Sequence, residues 1–480
     1  MSEALASPSD PARPVALTAF EKRFGHPPGL VLLFFTEMWE RFSYYGMRGL
    51  LKLYMVHYLF VTAREVTQGC SQNTPPCALV AGNPDGVLFW SSLREILPAA
   101  PAEAASVLYG AYTAFVYATP FIGGIIADRF LGQRKTVFIG GALMALGHFV
   151  MAFESSFFLA LGLLILGNGA FKPNISTQVG SLYAPGDPRR DGAYTIFYMG
   201  INLGAMISNL VCGTLAAIYG WHVGFAAAGV GMLAGLVVYW LGQRHLPPDP
   251  AAQAQLQTGS KHGLALSADE KKRVLALIAL CALNVVFWAV YEQQGNTMQS
   301  WANDRTLWPT ILGFRIPSTW FQSANPAMII VLAPLLDQVW RWQARKNQEP
   351  NSVTKMAIGC IVLGGSFLVM IAGSHVLGGG VGSPFWPLSC TLLLTIGELY
   401  LSPIGLSLVT KVAPMRIVSM MMGIWMASSF LGNFLGGAIG VLYTRWTNTE
   451  FFALLTAMGV GVGFAMLALR APLRAAIEKG

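Results

Sequence analysis

Charge is scarce in this chain: of its 480 residues only 11% are Asp, Glu, Lys or Arg, while 54% are hydrophobic. Soluble globular domains carry about 25% charged residues, so the balance excludes that class. Signatures of catalysis and metal binding are also missing. There is no G-x-S-x-G, no H-E-x-x-H and no Cys/His pair at metal-ligand spacing, and the glycines sit in helix-packing rather than phosphate-loop contexts. The first 28 residues are polar, hold Pro8, Pro11 and Pro14, and lack an apolar core followed by a small-residue cleavage site, so no signal peptide is expected. Neither an enzyme nor a cofactor-dependent protein is expected.

What fills the chain instead is apolar sequence. Twelve stretches, 30–60, 106–127, 135–153, 157–182, 192–214, 222–243, 273–300, 319–341, 354–375, 385–411, 416–444 and 451–470, are long enough to cross a bilayer. In lipid a single segment satisfies its own backbone only as a helix. The expected fold is therefore all-α, integral to the membrane, with twelve transmembrane helices. Between the sixth and seventh stretches lies QRHLPPDPAAQAQLQTGSKHGLALSADEKKR, rich in Pro, Ala and polar residues and without a run long enough to cross. It divides the chain into an N-terminal six-helix bundle (1–243), a cytoplasmic linker (244–272) and a C-terminal six-helix bundle (273–480). Each bundle reads as two units of three helices, the build of secondary transporters, whose substrate site lies near the bilayer midplane.

Basic residues give the orientation. With the N-terminus placed in the cytoplasm, most of the 31 Lys and Arg residues fall in inside segments, and only Arg64, Arg94, Arg305, Arg315 and Arg445 fall in outside loops. The expected placement is a multi-pass protein of the plasma (inner) membrane with both termini cytoplasmic. The net charge of +8 is then a topology signal with the lipid bilayer as its partner, and nucleic acid is not called for. Cys212, Cys281, Cys360 and Cys390 lie in apolar spans and read as packing residues. Cys70 and Cys77 bracket SQNTPP in the longest outside loop, where a disulfide and two free thiols are both open readings.

Against this background a few charges stand out at membrane depth: Glu37, Glu40, Arg41 and Arg48 in the first span, Lys172 in the fourth, Glu292 in the seventh and Glu398 in the tenth. Each costs at least ~2.5–3.5 kcal/mol on insertion scales, so they are expected to share a polar interior rather than face lipid. Depth along each helix, at 1.5 Å per residue, suggests two pairs between the bundles, Arg48 with Glu292 and Lys172 with Glu398. On the first helix, spacings of three, four, seven and eleven put Glu37, Glu40, Arg41, Tyr44, Tyr45 and Arg48 in one arc. Lys52 reads as a snorkelling residue, Asp337 and Arg341 as a surface or gating pair, and Tyr109 and Tyr112 as packing aromatics.

The stretch EMWERFSYYG (37–46) resembles the ExxERFxYYG motif of the proton-dependent oligopeptide transporters (POT/PTR), a branch of the major facilitator superfamily. Further matches are GGIIADRFLGQRKT after the second span, FKPNIST in the fourth, IFYMGINLG in the fifth, FWAVYEQQGN in the seventh, WFQSANP opening the eighth and GELYLSPIGLS in the tenth. Nearly the whole chain is covered. Many bacterial members insert two extra helices between the bundles; the linker here is too short for them, so the twelve-helix form is expected. The family often has Gly-Ser where this chain has Gly204-Ala205. Gly110 stands where some animal members have a His, so proton coupling here cannot depend on that His.

The resemblance implies a proton-coupled symporter importing di- and tripeptides by alternating access. It places Arg41, Arg48 and Lys172 by the peptide carboxylate and gives Glu398 the amino terminus. Tyr45, Tyr117, Asn202, Asn325 and Ser402 would hydrogen-bond the peptide, Trp288 and Trp425 would shape side-chain pockets, and Glu37, Glu40 and Glu292 belong to the proton-handling set with Arg41 and Arg48. A structural network holding the inner half of the first helix is the competing reading of Glu37, Glu40 and Arg41. The expected partners are peptides, protons and lipid, with the protein a monomer. The competing functions are transport of a drug or anion on the same fold, for which Glu398 has no use, and a peptide-sensing receptor, against which the short cytoplasmic segments argue.

Overall fold

A computed structural model describes residues 19–60, 86–184, 187, 189–247, 267–414 and 417–470. Cys70 and Cys77 lie outside the described residues. The long helices are α1 (Pro28–Tyr54), α2 (Pro101–Ile126), α3 (Gln133–Val150), α4 (Phe157–Ser181), α5 (Arg189–Tyr219), α6 (Trp221–Gly242), α7 (Ala268–Tyr291), α8 (Ala324–Arg345), α9 (Ser352–Leu377), α10 (Phe385–Val412), α11 (Val418–Gly440) and α12 (Asn448–Ala468). Among the described residues ten segments are long and apolar enough to cross a membrane, running with α2 and with α4 through α12. The protein is a multi-pass membrane protein. Two expected spans do not qualify on composition: α1 carries Glu37, Glu40, Arg41, Arg48 and Lys52, and α3 opens on Gln133, Arg134 and Lys135.

Local chemistry sets the helix ends. Proline opens α1 and α2, where its missing N–H costs nothing. Ser267 with Glu270 and Thr447 with Glu450 form capping boxes at α7 and α12. Gly220, at φ +97°, makes the tight turn between α5 and α6 that a side chain would strain. The seventh expected span, drawn as one helix over 273–300, is broken in the structure. It leaves α7 through a 3₁₀ turn, Glu292–Gln294, and resumes as a short helix, Thr297–Asp304. Between α7 and α8, β1 (Thr310–Ile311) and β2 (Phe314–Arg315) pair around Leu312 and Gly313, both at positive φ.

The buried apolar side chains sort into two cores, one drawn from residues between Leu30 and Leu246, the other from residues between Ala276 and Met466. The cores meet where α2 packs on α11 and α5 on α8. A Cβ on Gly110 would strike the backbone of Asn433 and Gly437, so the α2–α11 crossing depends on bare backbone.

The polar links between the cores gather at one end of the helices. Glu103 of α2 receives Arg445 Nε at 3.0 Å and Nη2 at 2.6 Å. His57 lies 3.7 Å from Asp304 and 3.2 Å from Asn303 Nδ2. Trp320 Nε1 donates to Thr214 Oγ1 at 3.0 Å. At the other end, among the described residues, the ion pairs Arg189–Asp187, Lys355–Glu349 and Arg341–Asp337 each stay within one core. Asp337 and Arg341 are exposed, in keeping with a surface pair. Asp187 accepts the Arg189 backbone N–H and guanidinium, which hold its carboxyl below the usual range.

Candidate functional site

Where α1, α2, α4 and α5 face α7, α8, α10 and α11, a cavity of about 350 Å³ opens between the two cores. Every residue expected to touch a peptide lines it: Arg41, Tyr45, Arg48, Tyr117, Lys172, Asn202, Trp288, Asn325, Glu398, Ser402 and Trp425. Glu292 lines it as well, whereas Glu37 and Glu40 lie behind Arg41, outside the lining.

The arc read from α1 divides into two environments. Arg41 Nε lies 3.2 Å from Glu37 Oε1 and also pairs with Glu40, and all three side chains are at most 3% exposed. Asn168 of α4 donates to Glu40 Oε1 at 3.2 Å, and the Arg41 guanidinium stands 5.2 Å from the centre of the Tyr44 ring. Two turns further along, Arg48 pairs with Glu292 of the other core, as helix depth suggested, and its Nε donates to the Tyr109 hydroxyl at 2.8 Å. Tyr109 is therefore a ligand of Arg48 and not only a packing ring; Tyr112 is buried in the core. Glu292 reaches Arg48 because α7 stops at Tyr291, and Gly295 leaves room there. A Cβ on Gly295 would collide with the Tyr109 hydroxyl.

The second expected pair is absent. Among the described residues no ion pair joins Lys172 to Glu398, since the cavity separates them. Lys172 Nζ sits 4.8 Å above the Tyr117 ring, a cation–π contact. Glu398 accepts from Asn325 Nδ2 at 3.0 Å and from the Tyr291 hydroxyl. Asn325 Nδ2 also reaches Thr395 Oγ1 at 3.0 Å. The two charges thus stand on different walls, each held by neutral groups.

Proline positions two of these side chains: Lys172 and Ser402 precede Pro173 and Pro403, which sit inside α4 and α10 and interrupt their hydrogen-bond ladders. Asn202 Nδ2 donates to Tyr198 O of its own helix at 3.0 Å. The apolar wall is aromatic, with Trp288 5.3 Å from Tyr291 and 6.4 Å from Tyr117, ring centre to ring centre.

Lys52 departs from its expected snorkelling. It is 2% exposed and donates to Ala102 O at 3.0 Å and to Ser106 Oγ, because the start of α2 lies over the end of α1 and offers a carbonyl and a hydroxyl before water is reached. Sequence reading also missed Tyr198, Tyr291 and Gln322 in the lining. Tyr291 adjoins Glu292, and Gln322 lies inside WFQSANP, so the signal was adjacency to residues already marked.

A sequence model of the POT family matches residues 134–261 and 251–459. The chain is 35% identical to the peptide transporter YePEPT of Yersinia enterocolitica subsp. palearctica over 87% of this chain and 88% of that one. It is 32% identical to a di-/tripeptide transporter of Lactococcus lactis subsp. cremoris over 94% and 96%. Among solved structures, a peptide transporter POT crystallised with sulfate superposes with a TM-score of 0.79 at 32% identity, covering 95% of this chain and 96% of that one. A POT family transporter in complex with a thioalcohol conjugated peptide gives 0.77 at 28%, covering 94% and 97%.

Proposed function

The chain belongs to the POT family, and from that membership and the charge layout of the cavity we propose that it is a proton-coupled symporter importing di- and tripeptides across the plasma membrane by alternating access. One observation carries the reading: a single cavity has Arg41, Arg48 and Lys172 on the wall of the N-terminal core and Glu398 on the opposite core, where Asn325 holds it. A peptide is a zwitterion whose ends lie roughly 3.3–3.6 Å apart per residue when extended. Such a cavity reads both ends while leaving the side chains to aromatic walls. Its volume of about 350 Å³ sits near the small end of ligand sites, which suits two or three residues.

In this reading Arg41, Arg48 and Lys172 hold the carboxylate and Glu398 the ammonium. Tyr45, Tyr117, Asn202, Asn325 and Ser402 hydrogen-bond the backbone, and Trp288 and Trp425 bound the side-chain pockets. Proton coupling runs through Glu292, with Glu37, Glu40 and Arg41 as the supporting set. Charges about 4 Å apart attract by roughly 4 kcal/mol at an effective dielectric near 20. Glu292 therefore stays ionised while it meets Arg48 and takes a proton when the cores part there. The membrane potential adds about 2.3 kcal/mol per charge per 100 mV.

The same reading gives the molecule twelve spans, with α1 and α3 crossing beside the ten apolar segments, and two bundles, 1–243 and 273–480, joined by a linker at 244–272. The separation of the two buried cores supports that division. Both termini are cytoplasmic, the protein acts as a monomer, and the end held by Glu103–Arg445 and His57–Asp304 is the closed outer side. The peptide-transporting names of the relatives support the substrate class, and an anionic substrate leaves Glu398 without a role.

Counterflow of labelled dialanine into proteoliposomes, competed by free, N-acetylated and C-amidated dialanine, tests the proposal. Each blocking group is expected to weaken competition by about tenfold or more, the loss of one charge-assisted hydrogen-bonded contact. Equal competition by all three overturns it.

A further inference from the structure

The 3₁₀ segment Ser318–Ser323 and the head of α8 that follows it lie beside both carboxylates of the cavity, through residues three apart: Gln322 bonds the turn that carries Glu292, and Asn325 bonds Glu398 itself. The Gln322 side-chain amide donates from Nε2 to Gln294 O at 3.0 Å, the last residue of the turn that carries Glu292, and to Gln299 Oε1 at 2.8 Å. Gln299 answers by donating from Nε2 to Ser318 O at 3.3 Å. One helical turn later, Asn325 Nδ2 donates to Glu398 Oε2. Ser323 Oγ, between them, donates to Met206 O of α5 at 2.6 Å.

Both N–H groups of the Gln322 amide are thereby committed, and Gln299 and Gln294 are 1% and 6% exposed. Sliding the Glu292 turn, together with the short helix Thr297–Asp304 that carries Gln299, against the segment leading into α8 breaks three hydrogen bonds whose partners Gln294 and Gln299 are shielded from water. The turn and the head of α8 must therefore move as one body.

We infer that Gln322 is a positioning residue that ties the proton site at Glu292 to the ammonium subsite at Glu398, through Gln294 on one side and Asn325 on the other. The sequence of events follows from the geometry. When Glu292 gains a proton it releases Arg48, its turn shifts, and the shift carries Asn325 off Glu398. The carboxylate then accepts a peptide ammonium in place of the amide. The other titratable or charged groups facing Glu292 are Arg48, Tyr44 and Tyr45 on α1, Tyr109 and Tyr117 on α2, Tyr291 on α7, and Glu398 on α10. Of these only Arg48 is a cation, so its release is the event the turn responds to.

The inference rests on the symport reading above, and a double-mutant cycle separates the two. Dialanine affinity is measured by counterflow in proteoliposomes for the wild type, Glu292→Gln, Gln322→Leu and the double variant. Glu292→Gln imitates the protonated state and is expected to tighten dialanine about fivefold or more in the wild-type background, but less than about twofold when Gln322 is Leu. An equal shift in both backgrounds overturns the inference and leaves the transport reading standing. No dialanine counterflow by the wild type overturns the transport reading itself. If Gln322→Leu fails to fold, Gln299→Leu, which removes an acceptor of the same amide, takes its place in the cycle with the same two outcomes.

Discussion

Two arginines on one helix, two turns apart, meet carboxylates in opposite ways. Arg41 finds Glu37 and Glu40 on its own helix, one turn and one residue away, and the trio is closed off by Asn168. Arg48 has no acidic neighbour on α1 and takes Glu292 from the other core. Rearrangement of the two cores leaves the first cluster whole, because its members travel together. The second contact exists only while the cores are closed around it. Residue type is the same and both side chains are largely buried; what differs is whether the bond spans the boundary between the two cores. In the proposed mechanism the Arg41 cluster is a fixed part of the N-terminal core and the Arg48–Glu292 pair is the switch.

The largest test of that contrast is stability. Arg41→Leu leaves two buried carboxylates unpaired, at a cost of about 3–5 kcal/mol. A marked fall in membrane yield and thermal midpoint is expected, with counterflow and accumulation lost together. Arg48→Leu leaves Glu292 beside a cavity from which it can take a proton, so a loss nearer 1–2 kcal/mol is expected, with accumulation lost and counterflow weakened, since Arg48 also faces the peptide carboxylate in the proposed site. Equal thermal midpoints for the two variants break the comparison.

A second test sharpens it at the substrate. Glu398→Gln keeps the Asn325 contact but removes the charge, and is expected to weaken counterflow of free dialanine by about 10- to 100-fold, from roughly 1.5–3 kcal/mol. N-acetylated dialanine should bind both proteins alike. Smaller still is Lys52→Met, in which a buried ammonium gives way to an apolar chain of similar length. Such exchanges are often neutral, so a change within about 1 kcal/mol in thermal unfolding is expected. Last comes Asp337→Asn, which removes an exposed pair and is expected to shift stability by less than about 0.5 kcal/mol.

Much of this was legible in the sequence because lipid makes the code strict. A charge among apolar residues is costly enough to mark the cavity, and helix periodicity then groups Arg41, Tyr45 and Arg48 on one face. The Arg48–Glu292 contact followed from depth alone. Depth failed for Lys172 and Glu398, since equal height says nothing of lateral distance, and a cavity lies between them. It failed for Lys52 too, whose acceptors belong to the start of another helix. The break of the seventh span at Glu292 was hidden because Gln293, Gln294 and Gly295 do not end an apolar run sharply enough to be told from a polar patch on a continuous helix. Gln322 carried no visible signal of its own; its role depends on two partners that only folding brings within reach.

Accumulation of labelled dialanine under an inward proton gradient, compared with counterflow in the same proteoliposomes, tests most directly whether Glu292 is the proton switch. The wild type should concentrate peptide above its external level, and Glu292→Gln should stop at equilibrium while still exchanging. Undiminished accumulation by Glu292→Gln would contradict the account.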